Sequence, residues 1–119
     1  IFAQKMLNGE DIKIFGDGDQ SRDFVYVKDV VASVIAALET GVQGHINIGS
    51  GEQTSVNQIF EHLSSEIGYT TPPIYESERE GDVRHIYLSI EKAKEDLGWT
   101  AKMNLEEGLK QTVNILRHR

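Results

Sequence analysis

The sequence contains no cysteine, which excludes disulfides and thiolate metal sites. It also lacks any apolar run near the roughly 20 residues that a membrane-spanning helix needs. The opening "IFAQKMLNGE" has none of the basic-then-apolar layout of a signal peptide. Together these absences lead us to expect a cytoplasmic protein. Basic side chains are in short supply: 12 Lys and Arg face 19 Asp and Glu, a net charge of −7. Such a chain is repelled overall by nucleic acid and by anionic membranes, so neither is an expected partner. A small anion is still an acceptable ligand, because two arginines make a pocket locally positive. The chain also opens on Ile1 rather than methionine, inside a helical pattern of Ile1, Phe2, Met6 and Leu7 that no cap residue precedes. The sequence therefore reads as part of something longer.

Several motifs are missing. No G-x-G-x-x-G opens a helix: Gly16 and Gly18 are followed by Ser21 where a third glycine is required, and Gly49 and Gly51 by Thr54. There is no Walker loop. None of Tyr26, Tyr69, Tyr75 and Tyr87 has a lysine four residues later, so the chain has no Tyr-x-x-x-Lys acid/base pair and no expected catalytic residue or cofactor site of its own. His45, His62, His85 and His118 are scattered without metal-ligand spacing. Asp17 and Asp19 in "DGDQSRDF" suggest a calcium loop, but Arg22 stands where the EF-hand pattern requires glycine. No metal is expected.

What remains is ordinary for a globular protein, and 119 residues suffice for one domain, 1–119, with a modest core. After Gly9, "DIKIF" (11–15) reads as a strand, followed by the loop 16–21. "RDFVYV" (22–27) alternates like a strand, with Phe24 and Tyr26 on one side and Val25 and Val27 on the other. Asp29 is the expected N-cap of a helix to about Glu39, with Val30, Val31, Val34, Ile35 and Leu38 on one face. "HINIGSG" reads as a strand breaking into a glycine turn. Ser55 and Gln58 make a capping box for a helix ending at Gly68, and Asn104 and Glu107 make a second for the last helix. Pro72 and Pro73 favour an extended "TPPIYES", and a short helix is expected over Ser89–Leu97. The sum is a small mixed α/β fold with few short strands and four to five helices.

Two loops carry arginine: "QSRDF" with Arg22 and "EREGDV" with Arg79. The planar guanidinium fork suits bidentate contact with phosphate oxygens, so two converging forks would suit a diphosphate. The competing expectation is an internal ion network, with Arg22 paired to Asp23 or Asp29 and Arg79 to Glu76 or Asp82.

Three blocks, "IKIFGDGDQSRDFVYVKDVV", "GHINIGSGEQTSVNQIFEHL" and "REGDVRHIYLSIEKAKEDLGW", stand in the same order as in the extended short-chain dehydrogenase/reductase family. The chain resembles its NAD-dependent nucleotide-sugar epimerases and dehydratases, most closely those similar to UDP-glucose 4-epimerase. The resemblance implies the C-terminal, substrate-binding part of a Rossmann-type epimerase, without its dinucleotide-binding half. By position it implies that Arg22 and Arg79 grip the diphosphate of a UDP-sugar and that Asp82 accepts hydrogen bonds from ribose hydroxyls. It also implies that the backbone of Lys13–Phe15 meets the uracil edge, with Phe15 beside the base. NAD would belong to the absent N-terminal half, which is the expected partner. Apolar surface left without that half would favour a homo-oligomer. UDP-glucuronate decarboxylases and sugar-nucleotide 4,6-dehydratases share this half and are the alternative reactions. A stand-alone nucleotide-binding or interaction domain is the alternative class.

Overall fold

A computed structural model describes all 119 residues. One helix follows directly from the first capping box. The Ser55 hydroxyl accepts the Gln58 N–H at 3.1 Å, and the Gln58 side chain accepts the Ser55 N–H at 2.8 Å. Two orphan donors are thereby satisfied, and helix α3 (Val56–Ile67) runs to Gly68, whose φ of 80° provides the left-handed turn. The second box is half formed. Asn104 accepts the Glu107 N–H at 2.9 Å to start α5 (Leu105–Arg117), while the Glu107 carboxylate faces Gln111.

These two helices and α1 (Phe2–Leu7) close over strand β1 (Lys13–Phe15), and their stripes meet in one core. Ala3, Met6, Ile12, Ile14, Ile59, Leu63 and Val113 are buried there. Strand β1 pairs in parallel with β4 (Ile74–Glu76), in the register Lys13↔Ile74, Ile14↔Tyr75 and Phe15↔Glu76. The extended segment expected after Pro72 and Pro73 is this second strand.

Three expectations are corrected. The strand expected over 22–27 shrinks to β2 (Ser21–Arg22), which pairs antiparallel with β3 (Thr54–Ser55). Helix α2 (Val27–Thr40) begins earlier than expected, with Tyr26 rather than Asp29 at its N-cap. Asp29 lies in the first turn, where its charge suits the helix dipole, but its buried carboxylate accepts the Met103 N–H at 2.9 Å. The "HINIGSG" segment forms no strand, because no neighbouring strand lies beside it. In addition, α4 (Glu91–Leu97) starts two residues later than expected, with Ile90 as its N-cap and no side-chain cap from Ser89.

A second, smaller cluster, Ala93, Leu97 and Trp99, joins α2 to α4, with Ile46 and Ile48 packed against it. The Trp99 indole N–H donates to the Asp29 carbonyl at 3.0 Å. The whole is a slab of 47 × 36 × 17 Å. Its radius of gyration, 16.3 Å, exceeds the roughly 13.5 Å of a compact domain of this length. Along one face of α2, Val27, Val31, Val34, Ile35 and Leu38 are each half or more exposed. No helix is long and apolar enough to cross a membrane.

Candidate functional site

The loop after β1 is held by side chains from distant segments. Gly18 has a φ of 80°, and its carbonyl accepts the Asn57 N–H at 2.9 Å. A Cβ at Gly18 would lie 2.0 Å from the Asn57 side-chain oxygen, so only glycine fits. The Asn57 amide donates to the Asp17 carbonyl and to the Asp19 carboxylate, both at 3.0 Å. Arg84 closes the loop from the other side, with two bonds to the Asp17 carboxylate at 2.8 and 2.7 Å. That arginine, followed by the Asp19 N–H, holds the Asp17 carboxyl below its ordinary pKa. The carboxylates that suggested calcium are thus engaged by an arginine and an amide.

Against this loop, two arginine-bearing segments far apart in sequence meet. Arg22 leaves β2 with Nη1 donating to the Ser21 carbonyl at 2.8 Å and Nη2 to the Asp82 carboxylate at 2.5 Å. Asp82 ends a four-residue turn, its N–H donating to the Arg79 carbonyl at 3.2 Å, with Gly81 in the third position at a φ of 81°. That is type II turn chemistry. Arg79, at the other end of the turn, lies over the Phe15 ring, with Cζ 3.9 Å from the centroid. Lys13 reaches diagonally to Glu76, which stands opposite Phe15 in the β1–β4 register, and pairs with it at 2.6 Å. The carboxylate's hydrogen bond and charge raise the lysine's pKa.

Four of the five residues singled out in the sequence, Lys13, Phe15, Arg79 and Asp82, line one open cleft of about 420 Å³. The fifth, Arg22, does not line the cleft and touches it only through its bond to Asp82. The internal pairs expected for Arg22 with Asp23 or Asp29, and for Arg79 with Glu76 or Asp82, are not made. Lys5 and Gln20 also line the cleft and went unnoticed in the sequence, Lys5 because it sits on a plain amphipathic helix. The Gln20 side-chain amide donates to the Phe15 carbonyl at 2.7 Å, and its Oε1 is buried without a partner.

Asp23, beside Arg22 in the chain, does different work. Its carboxylate accepts the Ser50 N–H at 2.7 Å, the Ser50 hydroxyl at 2.6 Å and the Gly51 N–H at 2.9 Å. The Leu88 N–H adds a longer bond at 3.3 Å. Burial pushes the Asp23 carboxyl up, but these donors outweigh it and hold the group below its ordinary value. A Cβ at Gly49 would sit 2.6 Å from this carboxylate, which explains the glycine in "NIGSG". The Ser21 hydroxyl bonds to both Gln53 and His85 at 2.9 Å, tying the Arg84–Ile86 segment to β2.

With this geometry in hand, known proteins are informative. A Methanocaldococcus jannaschii protein provisionally named a UDP-glucose 4-epimerase is 47% identical over 118 residues, covering 99% of this chain and 38% of that protein. The UDP-glucose 4-epimerase of Thermotoga maritima, solved with UDP-glucose, superposes with a TM-score of 0.95 at 50% identity, covering 98% of this chain and 38% of its own. The UDP-glucuronic acid 4-epimerase of Bacillus cereus, solved with UDP-glucuronic acid and NAD, gives a TM-score of 0.88 at 29% identity, with 98% and 38% coverage. The chain therefore spans about 38% of the length of these relatives.

The NAD in such relatives finds no matching donor set here. The two glycine pairs are committed, one to the loop held by Asn57 and Arg84, the other to the turn held by Asp23. Neither stands at the start of a helix. The family model for GDP-mannose 4,6 dehydratase matches residues 1–112. The chain belongs to that family, the NAD-dependent epimerases and dehydratases among the extended short-chain dehydrogenase/reductases, and corresponds to their C-terminal part.

Proposed function

We propose that this chain is the UDP-sugar-binding domain of an NAD-dependent nucleotide-sugar epimerase of the UDP-glucose 4-epimerase kind, acting in the cytoplasm. The observation that carries the reading is the meeting of Arg22 with Asp82, 60 residues away at the end of the turn that Arg79 begins, at one cleft beside Phe15. The two guanidinium groups are the diphosphate ligands, and Asp82 is the acceptor for ribose hydroxyls. The unpaired edge of β1, away from β4, meets the base, with Phe15 beside it and Lys13 at the rim. These contacts lie remote from the reacting sugar carbon, and their binding energy orients the sugar for chemistry done elsewhere.

Hydride transfer and proton transfer belong to the dinucleotide-binding part of the family, so the chain alone, given NAD and UDP-glucose, yields no UDP-galactose. The exposed apolar face of α2 and the segment 45–48, which pairs with no strand, suit that part as a partner. The dehydratase in the family's name favours dehydration as a second reaction, in which this domain has the same task. Identifying the product formed once the dinucleotide-binding part is restored distinguishes the two.

The test is calorimetric titration of UDP and UDP-glucose into the chain, beside the double variant Arg22→Ala, Arg79→Ala. Each charge-assisted contact contributes about 1.5–3 kcal/mol, so binding is expected in the parent chain and lost in the variant. Equal binding in both would overturn the diphosphate assignment.

A further inference from the structure

The groups assigned to the ligand are bonded to one another. Arg79, a diphosphate ligand, lies over the ring assigned to the base, and Arg22 holds the carboxylate assigned to the ribose. The Arg22–Asp82 pair is half-buried, with 29% and 35% of the side chains exposed, so it is not a fully solvated surface contact. Phe15 is not packed into either apolar cluster, so the ring that Arg79 covers is available on the cleft side.

Resting on the reading above, we propose that Phe15 is a positioning residue for Arg79. The guanidinium stacks on the ring until a nucleobase takes that place, and is then free to bind the diphosphate. Asp82 and Arg22 exchange partners in the same way, the carboxylate passing to ribose hydroxyls and the guanidinium to phosphate oxygen. No covalent step is involved. Each internal contact is replaced by a ligand contact: the aromatic face takes the base, the carboxylate takes the hydroxyls, and the two cations take the phosphate anion. The nucleoside and the diphosphate therefore compete with internal partners, and a ligand carrying both displaces the whole set at once. A lone diphosphate must pull Arg79 off Phe15 without a base to replace it.

This arrangement predicts effects of opposite sign from one substitution. Phe15→Leu removes the aromatic face and leaves an apolar side chain. Inorganic diphosphate should then bind more tightly, by the two- to five-fold that an exposed cation–π contact represents, because Arg79 is no longer held. UDP should bind more weakly, because the base loses its ring. A purely structural role for Phe15 would weaken both ligands. Diphosphate affinity that is unchanged or lower in a folded Phe15→Leu chain, while the parent chain binds UDP, overturns the exchange and leaves the UDP-sugar reading standing. No binding of UDP or diphosphate by the parent chain overturns both.

A second measurement needs no variant. In the NMR spectrum of the parent chain, the Arg79 Nε–H resonance should be shifted upfield by the Phe15 ring and move downfield as UDP is added. A resonance that UDP binding leaves in place overturns the exchange, whatever the stability of Phe15→Leu.

Discussion

Helices α2 and α5 are similar in length and both amphipathic in sequence, yet their apolar stripes meet different fates. In α5, Val113 is fully buried and Leu105, Leu109 and Leu116 pack on the core shared with α1, α3 and β1. In α2 the stripe runs along the open face of the slab, and Leu38 is 78% exposed. The residues of α2 that are buried are polar: Asp29 and Ser33. One side of the molecule is held by apolar packing. The other has only the small cluster of Ala93, Leu97 and Trp99 between α2 and α4, and is held as well by carboxylates that gather backbone donors, Asp29 from Met103 and Asp23 from Ser50, Gly51 and Leu88. An amphipathic pattern states that a stripe is to be covered, and not whether the same chain covers it.

The largest expected effect tests that contrast directly. Leu63→Ala, in the closed core, should cost about 2–5 kcal/mol by urea denaturation, enough to unfold a domain with so few buried residues. Leu38→Ala, on the open stripe, should stay within about 0.5 kcal/mol. Equal costs would mean that α2 is covered in solution. Self-association through this stripe is the expected cover at high concentration. The chain should sediment as more than its 13.3 kDa monomer, and a Val31→Lys, Leu38→Lys chain as the monomer alone. A parent chain that stays monomeric at millimolar concentration would remove that cover.

The same contrast explains what could be read in the sequence. The closed side was legible because its signals are local: Ser55 with Gln58, Gly68, and the spacing of Ile59, Leu63 and Val113 all state their structure within a few residues. Arg22 and Arg79 stand out in the sequence as a pair of guanidinium forks, but nothing local separates a diphosphate clamp from an ion network. Lys13, Phe15 and Asp82 enter as candidates only through the resemblance. Their meeting depends on contacts across 60 residues, and the pairs they make, Arg22 with Asp82 and Arg79 with Phe15, differ from those that proximity in sequence suggested. The open side misled in a consistent way. "RDFVYV" and "HINIGSG" have strand patterns, and strands need neighbours. Only Ser21 and Arg22 find one, in Thr54 and Ser55. Asp29 and Asp23 look like ordinary caps or ion-pair partners, and the backbone donors they gather lie 27 to 74 residues away.

A smaller effect than that of Leu63 is expected where the open side is held. Asp23→Asn keeps an oxygen for Ser50 but turns an amide N–H₂ toward the N–H groups of Gly51 and Leu88, setting donor against donor. The cost should be about 1–3 kcal/mol. Acid provides a second way to remove the same charge. The folded pKa of Asp23 lies below the ordinary carboxylate value, so its contribution is complete above the unfolded pKa of about 3.9. It is lost as pH falls through the folded value.

Asp17 is shifted in the same direction by Arg84 and the Asp19 N–H, but from an exposed position, where salt screens the pair. Stability should therefore fall below about pH 4 in the parent chain, and fall less steeply in Asp23→Asn. Adding 1 M NaCl at pH 7 should weaken what Arg84→Ala removes, the smallest effect of the set, while leaving the difference between Asp23→Asn and the parent chain nearly intact. If salt erased both differences alike, Asp23 would be a surface charge like Asp17, and the open side would lack the hydrogen-bonded anchor assigned to it.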